Sequence, residues 1–194
     1  CHKANDAVYY NDLNDRAAQV PVGSNGVLFL PYLTGGQDIN NKKCGCFLGL
    51  TLDDDQSVMW RSVLESIGFD YMEICDLYRS AGVDLQRLTV AEGGSRSSLW
   101  KSDMLDAEVV RYKNAGGAVV TNCIFAAYAV KDVPEIIPEL SKILQIDQSY
   151  QPRAENTKLY RDLLNLQRKL IDVDMAPAFA TLWNMKKILP QKQN

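Results

Sequence analysis

Two glycine-containing segments carry residue types suited to holding a phosphate. The first, Leu88–Trp100, reads LTVAEGGSRSSLW: a β-forming apolar run, two glycines, then serines that open a predicted helix. Glycine lets a chain turn and a ligand approach the backbone, and the first amides of a helix attract an anion. The segment predicts a phosphate-binding turn or an ordinary tight turn, and its residues alone leave both open.

The second segment, Gly116–Val130, reads GGAVVTNCIFAAYAV and predicts a helix with one small face. Its small residues recur three to five positions apart, and we expect them on one side of a helix: Gly117, Thr121 or Asn122, Ala126 and Ala129. Such a face admits either a flat ligand ring or a closely packed neighbouring helix. The sequence does not choose between these two interpretations.

The elements that must position both segments alternate between strand and helix. Hydrophobic periodicity, proline and glycine predict strands at 27–33, 46–52, 88–91 and 108–111 and helices at 4–20, 53–80, 97–106, 117–130, 135–144 and 155–170. Alternation of this kind predicts an α/β layered domain. The three tryptophans are expected in the core: Trp60, Trp100 and Trp183.

The amino-acid composition argues against several classes of function. With 194 residues, 46% of them hydrophobic, the chain can build a core, and its net charge of −3 argues against a nucleic-acid partner. No apolar run approaches a membrane span. A single histidine, His2, argues against a histidine-based triad or zinc cluster, and five cysteines without a CxxC pair favour reduced thiols in the cytoplasm.

In their order, these segments resemble the C-terminal domain of the FGGY carbohydrate kinases, particularly the xylulokinase-like members. That family has a strand, G-G-G-A-R-S-x-x-W, a helix, a strand, then G-A-A-x-x-A-x-x-A-A; this chain has EGGSRSSLW at Glu92–Trp100 and GAVVTNCIFAA at Gly117–Ala127. The family's L-F-L-P-Y-L-S-G-E-R-T-P and F-x-G-L-T match LFLPYLTGGQDI at Leu28–Ile39 and FLGLT at Phe47–Thr51. The resemblance runs from about Val20 to Lys169.

The resemblance implies an α/β domain of ribonuclease-H-like fold, as in the actin-like ATPase and hexokinase superfamily, present in incomplete form. Residues 1–170 are expected to be part of the nucleotide-side domain, and residues 171–194 a C-terminal tail. The implied activity is transfer of the γ-phosphoryl of Mg-ATP to a hydroxyl of a pentulose-type sugar. The implied partners are this sugar and the nucleotide, without nucleic acid or membrane.

By the same resemblance, six residues are expected to bind the nucleotide. Gly93 and Gly94 match motif glycines beside the α-phosphate and ribose, and the remaining matches are Ser95, Ser98 at the adenine edge, Gly117 and Ala118. The family's catalytic Asp, in a G-x-x-D hairpin, and its G-T-S phosphate loop have no match here and are expected before Cys1, with most Mg²⁺ ligands outside this chain. No catalytic residue or metal ligand is assigned, so the chain alone is expected to be inactive.

Two departures from the family pattern support an alternative function. Glu92 replaces the first motif glycine, and TGGQDI stands where the family has S-G-E-R-T-P. The alternative is a degenerate kinase-like domain that acts as a non-catalytic binding or assembly module. In either case, apolar faces that meet the rest of a longer protein predict self-association, with a dimer as the expected state.

Overall fold

The structure is a computed structural model that describes residues 6–33, 42–90, 99–113 and 117–188. It divides into two compact units: residues 1–71 with 158–194, here the first unit, and residues 72–157, the second unit. Its helices and strands in chain order are α1 (Asp6–Ala17), β1 (Leu28–Leu30), β2 (Cys46–Leu48), α2 (Gln56–Ser80), β3 (Arg87–Val90), α3 (Leu99–Leu105), β4 (Glu108–Tyr112), α4 (Gly117–Ala129), α5 (Ile136–Ile143), β5 (Ile146–Tyr150), α6 (Ala154–Lys169) and α7 (Ala176–Ile188).

A short antiparallel pair, β1 with β2, belongs to the first unit. Leu30 pairs with Cys46, and the rings of Phe29 and Phe47 lie 4.7 Å apart between centroids. The strand predicted over 27–33 ends at Leu30 because Pro31 has no amide hydrogen to donate to the ladder.

The long helix α2 begins at Gln56, three residues later than the expected start at Asp53. Asp55 precedes the helix, and its Oδ1 accepts hydrogen bonds from the amides of Ser57 at 2.8 Å and Val58 at 3.1 Å. These bonds, that from Val58 foremost, lower the pKa of the Asp55 carboxyl. The acidic run before α2 therefore supplies an N-cap for orphan helix amides.

The segment predicted to be a C-terminal tail is mostly helical over residues 171–188 and contributes to the core of the first unit. A five-residue π-helical turn, Leu170–Asp174, follows α6 and precedes α7. Ile171 from this turn and Phe179 from α7 are buried with Leu30 in one apolar cluster. Trp183 is 45% exposed, so the prediction that it lies in the core is wrong: its side of α7 faces solvent.

The second unit contains a three-stranded sheet in the order β3-β4-β5. β3 and β4 are parallel, with Arg87 opposite Glu108 and Val90 opposite Arg111, whereas β5 is antiparallel to β4. Parallel neighbours need a crossover connection, and α3 is the helix in that crossover.

Helix α3 is buried on every side that the structure describes. Its buried residues include apolar and polar ones alike: Trp100, Lys101, Ser102, Asp103, Met104 and Leu105. The prediction that Trp100 is a core residue is confirmed. A helix buried all round must find partners for its polar side chains, and those partners are given below.

Candidate functional site

The parallel pairing of β3 and β4 defines the candidate site. Val90 at the end of β3 pairs with Arg111 near the end of β4, so both strands end at the same edge of the sheet. Residues 91–98 connect β3 to α3, and the chain leaving β4 reaches α4 at Gly117. Ligands of open α/β sheets bind outside the carboxyl ends of parallel strands, so both glycine segments of the sequence are tethered to the edge where a ligand is expected.

Most of the nucleotide-binding residues expected from the sequence lie outside the described part of the structure: Gly93, Gly94, Ser95 and Ser98. Gly117 and Ala118 are the first two residues of α4, as the helix-start motif predicts. Their contact with a nucleotide stays a prediction.

The small-residue face of α4 is largely at the surface. Asn122, Ala126 and Ala129 are exposed, whereas Ile124 on another side of the helix is buried. Both interpretations of this face, a flat ligand and a neighbouring helix, stay predictions. The face retains the small side chains that admit a flat ligand.

Helix α3, which follows residues 91–98, is fastened by a buried carboxylate. Asp103 is fully buried, and its Oδ1 accepts from the Arg153 amide at 2.7 Å. Its Oδ2 accepts from Nε of Arg153 at 3.0 Å and from Nδ2 of Asn156 at 2.8 Å. These bonds, all within the second unit, hold α3 in place, and sequence reasoning missed them because the partners are about fifty residues apart.

Lys101 places a buried cation in the same helix. It is 7% exposed, and its Nζ lies 5.3 Å from the ring centroid of Trp100, within the range of a cation–π interaction. Burial lowers the pKa of Lys101 to about 8. The buried ammonium therefore carries a desolvation cost, and a neighbouring anion would reduce that cost.

A second buried polar cluster among the described residues lies in the first unit, and sequence reasoning missed it as well. Glu65, 3% exposed, accepts hydrogen bonds from Gly23 N (3.1 Å), Ser24 Oγ (2.8 Å), Arg61 Nε (2.9 Å) and Tyr160 Oη (2.9 Å). Nη2 of Arg61 donates to Tyr160 Oη at 2.7 Å. Gly23 has φ of +84°, a conformation that glycine adopts without strain.

This Glu65 cluster fastens α2 to α6 and to the turn before β1. Burial, and next the Glu65 carboxylate, raise the pKa of Tyr160 far above its usual range, so its hydroxyl stays protonated. Arg and Glu four residues apart on an otherwise apolar helix face are the sequence signal that could have revealed the pair. Because each carboxylate oxygen already accepts from a donor of the chain, the cluster is structural rather than a site for a reacting group.

Over residues 6–33, 42–90, 99–113 and 117–188, no three His, Cys, Asp or Glu side chains are grouped as a metal ion requires. Within those same ranges no helix has the length and apolar character for crossing a bilayer.

Comparison with curated proteins finds sugar kinases, while no family model matches the chain. The xylulose kinase of Escherichia coli is 31% identical over 171 residues, which cover 77% of this chain and 34% of that protein. The xylulose kinase of Staphylococcus epidermidis is 26% identical over 156 residues, 78% of this chain and 32% of that protein. The gluconokinase of Bacillus subtilis is 29% identical over 171 residues, which cover 83% of this chain and 33% of that protein.

Solved structures give the same answer for the fold. A xylulose kinase from Rhodospirillum rubrum superimposes with a TM-score of 0.68 and 25% identity over 92% of this chain and 36% of that one. A ligand-bound xylulose kinase from Lactobacillus acidophilus gives a TM-score of 0.71 at 21% identity and covers 88% of this chain and 36% of its own. A glycerol kinase from Plasmodium falciparum, solved with ADP, gives a TM-score of 0.68 at 19% identity and covers 82% of this chain and 33% of its own.

The fold is therefore the α/β, ribonuclease-H-like fold of the actin-like ATPase superfamily, as predicted, in partial form. The chain belongs to the FGGY carbohydrate kinase family. Within that family it corresponds to the C-terminal part of xylulose-kinase-like proteins, and it spans about a third of the length of the curated relatives it matches. The division at residue 170 between domain and tail stays a prediction.

Proposed function

We propose that this chain forms one side of the ATP pocket of a carbohydrate kinase that phosphorylates a hydroxyl of a pentulose-type sugar. The observation that carries the proposal is the parallel pairing of Val90 with Arg111, which tethers both glycine segments to the carboxyl edge of one sheet. The kinases named above, xylulose kinases foremost, support the reaction class. Phosphoryl transfer depends on positioning and charge compensation, so a protein can divide the task among several segments.

In this proposal each residue has a limited role. The backbone at Gly93, Gly94 and Ser95 passes the α-phosphate and ribose, and Ser98 lies at the adenine edge. Gly117 and Ala118 close the opposite side of the pocket at the start of α4. ATP supplies the phosphoryl group, while the proton-accepting carboxylate and most Mg²⁺ ligands are assigned to parts of the parent protein other than this chain.

The nucleotide pocket predicts that Mg-ADP raises the melting temperature of this chain. A ligand that binds the native state alone, present at a hundredfold excess over its dissociation constant, adds about 2.7 kcal/mol to the free energy of unfolding. The variant Gly117→Val should lose the shift, because a branched side chain enters the pocket wall. The matched control Cys123→Val, at an exposed position of α4 outside the small-residue face, should keep it.

Two results would contradict this proposal. An unchanged shift in Gly117→Val would remove α4 from the pocket. Turnover of ATP with D-xylulose by this chain alone, measured as coupled ADP release, would show that the chain carries its own catalytic base, against the proposed inactivity of the isolated chain.

The second candidate function, a non-catalytic binding or assembly module, rests on Glu92. A carboxylate in place of the first motif glycine repels the phosphates of ATP unless its side chain points away. This candidate predicts no shift with Mg-ADP in this chain, and none when the missing half of the kinase is restored. A shift that appears only in Glu92→Gly would identify a degenerate nucleotide site.

We also propose that the chain self-associates as a dimer through α2. Ile67, Tyr71, Ile74 and Tyr78 are exposed at spacings of four, three and four, the spacing of a coiled-coil seam. A second copy in antiparallel orientation covers this stripe with itself, since such a two-fold pairing sets Ile67 opposite Tyr78 and Tyr71 opposite Ile74.

The dimer predicts that light scattering of the purified chain gives twice the monomer mass. Ile74→Lys should reduce the mass to that of a monomer, because a charge enters the seam. The control Ile137→Lys replaces an equally apolar, more exposed residue on α5 and should leave the dimer intact. A monomeric parent chain, or a dimer indifferent to Ile74→Lys, would contradict the proposal.

The proposed compartment is the cytoplasm. No disulfide joins the cysteines that the structure describes, Cys44, Cys46, Cys75 and Cys123, and reduced thiols are typical of that compartment.

A further inference from the structure

An open pocket of about 450 Å³ lies within the first unit, between the segment before β2 and helix α7. Its volume falls in the range of small-molecule sites, roughly 300–1,000 Å³. Two aromatic rings and two leucines form its apolar walls: Tyr32, Leu33, Leu182 and Trp183. Three lysines also line it, whereas none of the described residues in the lining is an Asp or a Glu. The pocket therefore combines apolar walls with positive charge.

The three lysines differ in their partners. Nζ of Lys43 donates to Oδ1 of Asp172 at 2.7 Å and lies 5.3 Å from the ring centroid of Tyr32, so its charge is matched within the chain. Lys42 and Lys186 are exposed, and neither forms an ion pair with another residue of the described ranges. Two positive charges at this pocket thus lack an opposite charge from the part of the chain that the structure describes.

The same ion pair connects the two sides of the pocket. Asp172 belongs to the π-helical turn that precedes α7, and Lys43 belongs to the segment that precedes β2. On α7, Trp183 and Lys186 are three residues apart and are therefore neighbours on the helix surface. Trp183 is exposed although tryptophan is usually well buried. An apolar ring and an unmatched cation therefore stand side by side on this wall.

From this arrangement we propose that the pocket binds a small phosphate monoester in which a ring carries the phosphate. The two unmatched ammonium groups fit a dianion, and a phosphate monoester carries a charge of about −1.5 to −2 at pH 7. The ring of the ligand packs against Tyr32 and Trp183, since aromatic faces bury large apolar areas. A singly charged anion of the same shape leaves one of the two lysines without a partner.

A matched pair of probes tests the charge. Phenyl phosphate and phenyl sulfate have nearly the same shape, but at neutral pH the phosphate carries almost one more negative charge. Titration followed by tryptophan fluorescence should give a dissociation constant roughly fivefold lower for phenyl phosphate, the upper range for one exposed ion pair. Inorganic phosphate, which lacks the ring, should bind more weakly than phenyl phosphate. The fluorescence change should be absent in Trp183→Phe, because Trp60 and Trp100 lie outside the lining.

The location is tested by two neighbouring lysines of α7. Lys186→Gln removes a cation of the lining and should weaken phenyl phosphate binding roughly fivefold. The matched control Lys187→Gln removes an exposed cation outside the lining and should keep the affinity of the parent chain. Circular dichroism confirms that both variants fold.

Three results would overturn the inference: no saturable binding of phenyl phosphate, equal affinity of the parent chain for phenyl phosphate and phenyl sulfate, or equal affinities of Lys186→Gln and Lys187→Gln for phenyl phosphate. None of these measurements involves nucleotide, and the residues proposed for the nucleotide belong to the second unit. A failure here is therefore distinguishable from a failure of the proposed kinase function.

Discussion

Glu65→Leu is expected to destabilise the chain by about 3–5 kcal/mol, the largest loss we expect from one substitution. Removing one partner from a buried ion pair leaves the other as an uncompensated buried charge. Here the residual groups are the Arg61 guanidinium, 5% exposed as a residue, and the hydroxyls of Ser24 and Tyr160. Leucine fills a similar volume, so the loss reports on polar satisfaction rather than on a void.

Urea unfolding followed by circular dichroism measures this loss. The control is Asp12→Leu, which removes the carboxylate of the Asp12–Arg16 pair on α1, whose side chains are both exposed. An exposed pair contributes at most about 1 kcal/mol, so the control should change little. Equal losses in the two variants would contradict the account of the Glu65 cluster.

A triple variant separates charge from packing at the same place. Arg61→Met, Glu65→Leu and Tyr160→Phe together remove the ion pair and the phenol hydroxyl and leave an apolar contact between α2 and α6. The Ser24 hydroxyl and the Gly23 amide lose their acceptor in the triple variant as they do in Glu65→Leu. Apolar replacement of a whole buried ion cluster is often neutral or stabilising, so the triple variant should recover most of the stability that Glu65→Leu loses. A triple variant as unstable as the single one would show that shape, not charge, sets the cost.

The sequence predicted elements with strong periodicity and adjacent partners. Helix α6 was expected over 155–170 and runs over Ala154–Lys169, because its leucines repeat at the helical period and Pro152 blocks an earlier start. The third strand of the sheet shows where such reasoning ends. The antiparallel pairing of β5 with β4 joins Val110 to Ser149, almost forty positions apart, and no local pattern specifies it.

The same limit applies to the candidate site. Chain order and glycine content located the two segments, because a glycine turn before a helix is a local signal. The side chains that hold these segments in position come from distant parts of the chain: Asp103 meets Arg153 and Asn156, and Glu65 meets Gly23 and Tyr160. A buried polar residue in a helix needs a hydrogen-bonding partner, but the sequence does not show which residue that partner is.

Arg153→Ala is expected to destabilise the chain by about 2–4 kcal/mol and to weaken nucleotide binding as well. Asp103 is fully buried, whereas the Arg153 side chain is 51% exposed, so removing the arginine leaves a carboxylate without its cation in the interior. The expected loss is smaller than for Glu65→Leu because the amide of residue 153 and Nδ2 of Asn156 still donate to Asp103. The reverse change, Asp103→Leu, should cost less, since the exposed guanidinium can turn to water.

This asymmetry is measured by urea unfolding of both variants, with Arg87→Ala as the control. Arg87 pairs with Glu108 at the opposite end of the parallel strands, and its side chain is 60% exposed, so its removal should cost at most about 1 kcal/mol.

Because α3 follows residues 91–98 directly, a loosened α3 also disturbs the proposed phosphate segment. The affinity for Mg-ADP, measured well below the melting temperature, should therefore fall in Arg153→Ala and not in Arg87→Ala. A larger loss of stability in Asp103→Leu than in Arg153→Ala would contradict the prediction that the loss depends on which charge is left buried. Unchanged affinity for Mg-ADP in Arg153→Ala would show that the position of α3 does not affect nucleotide binding.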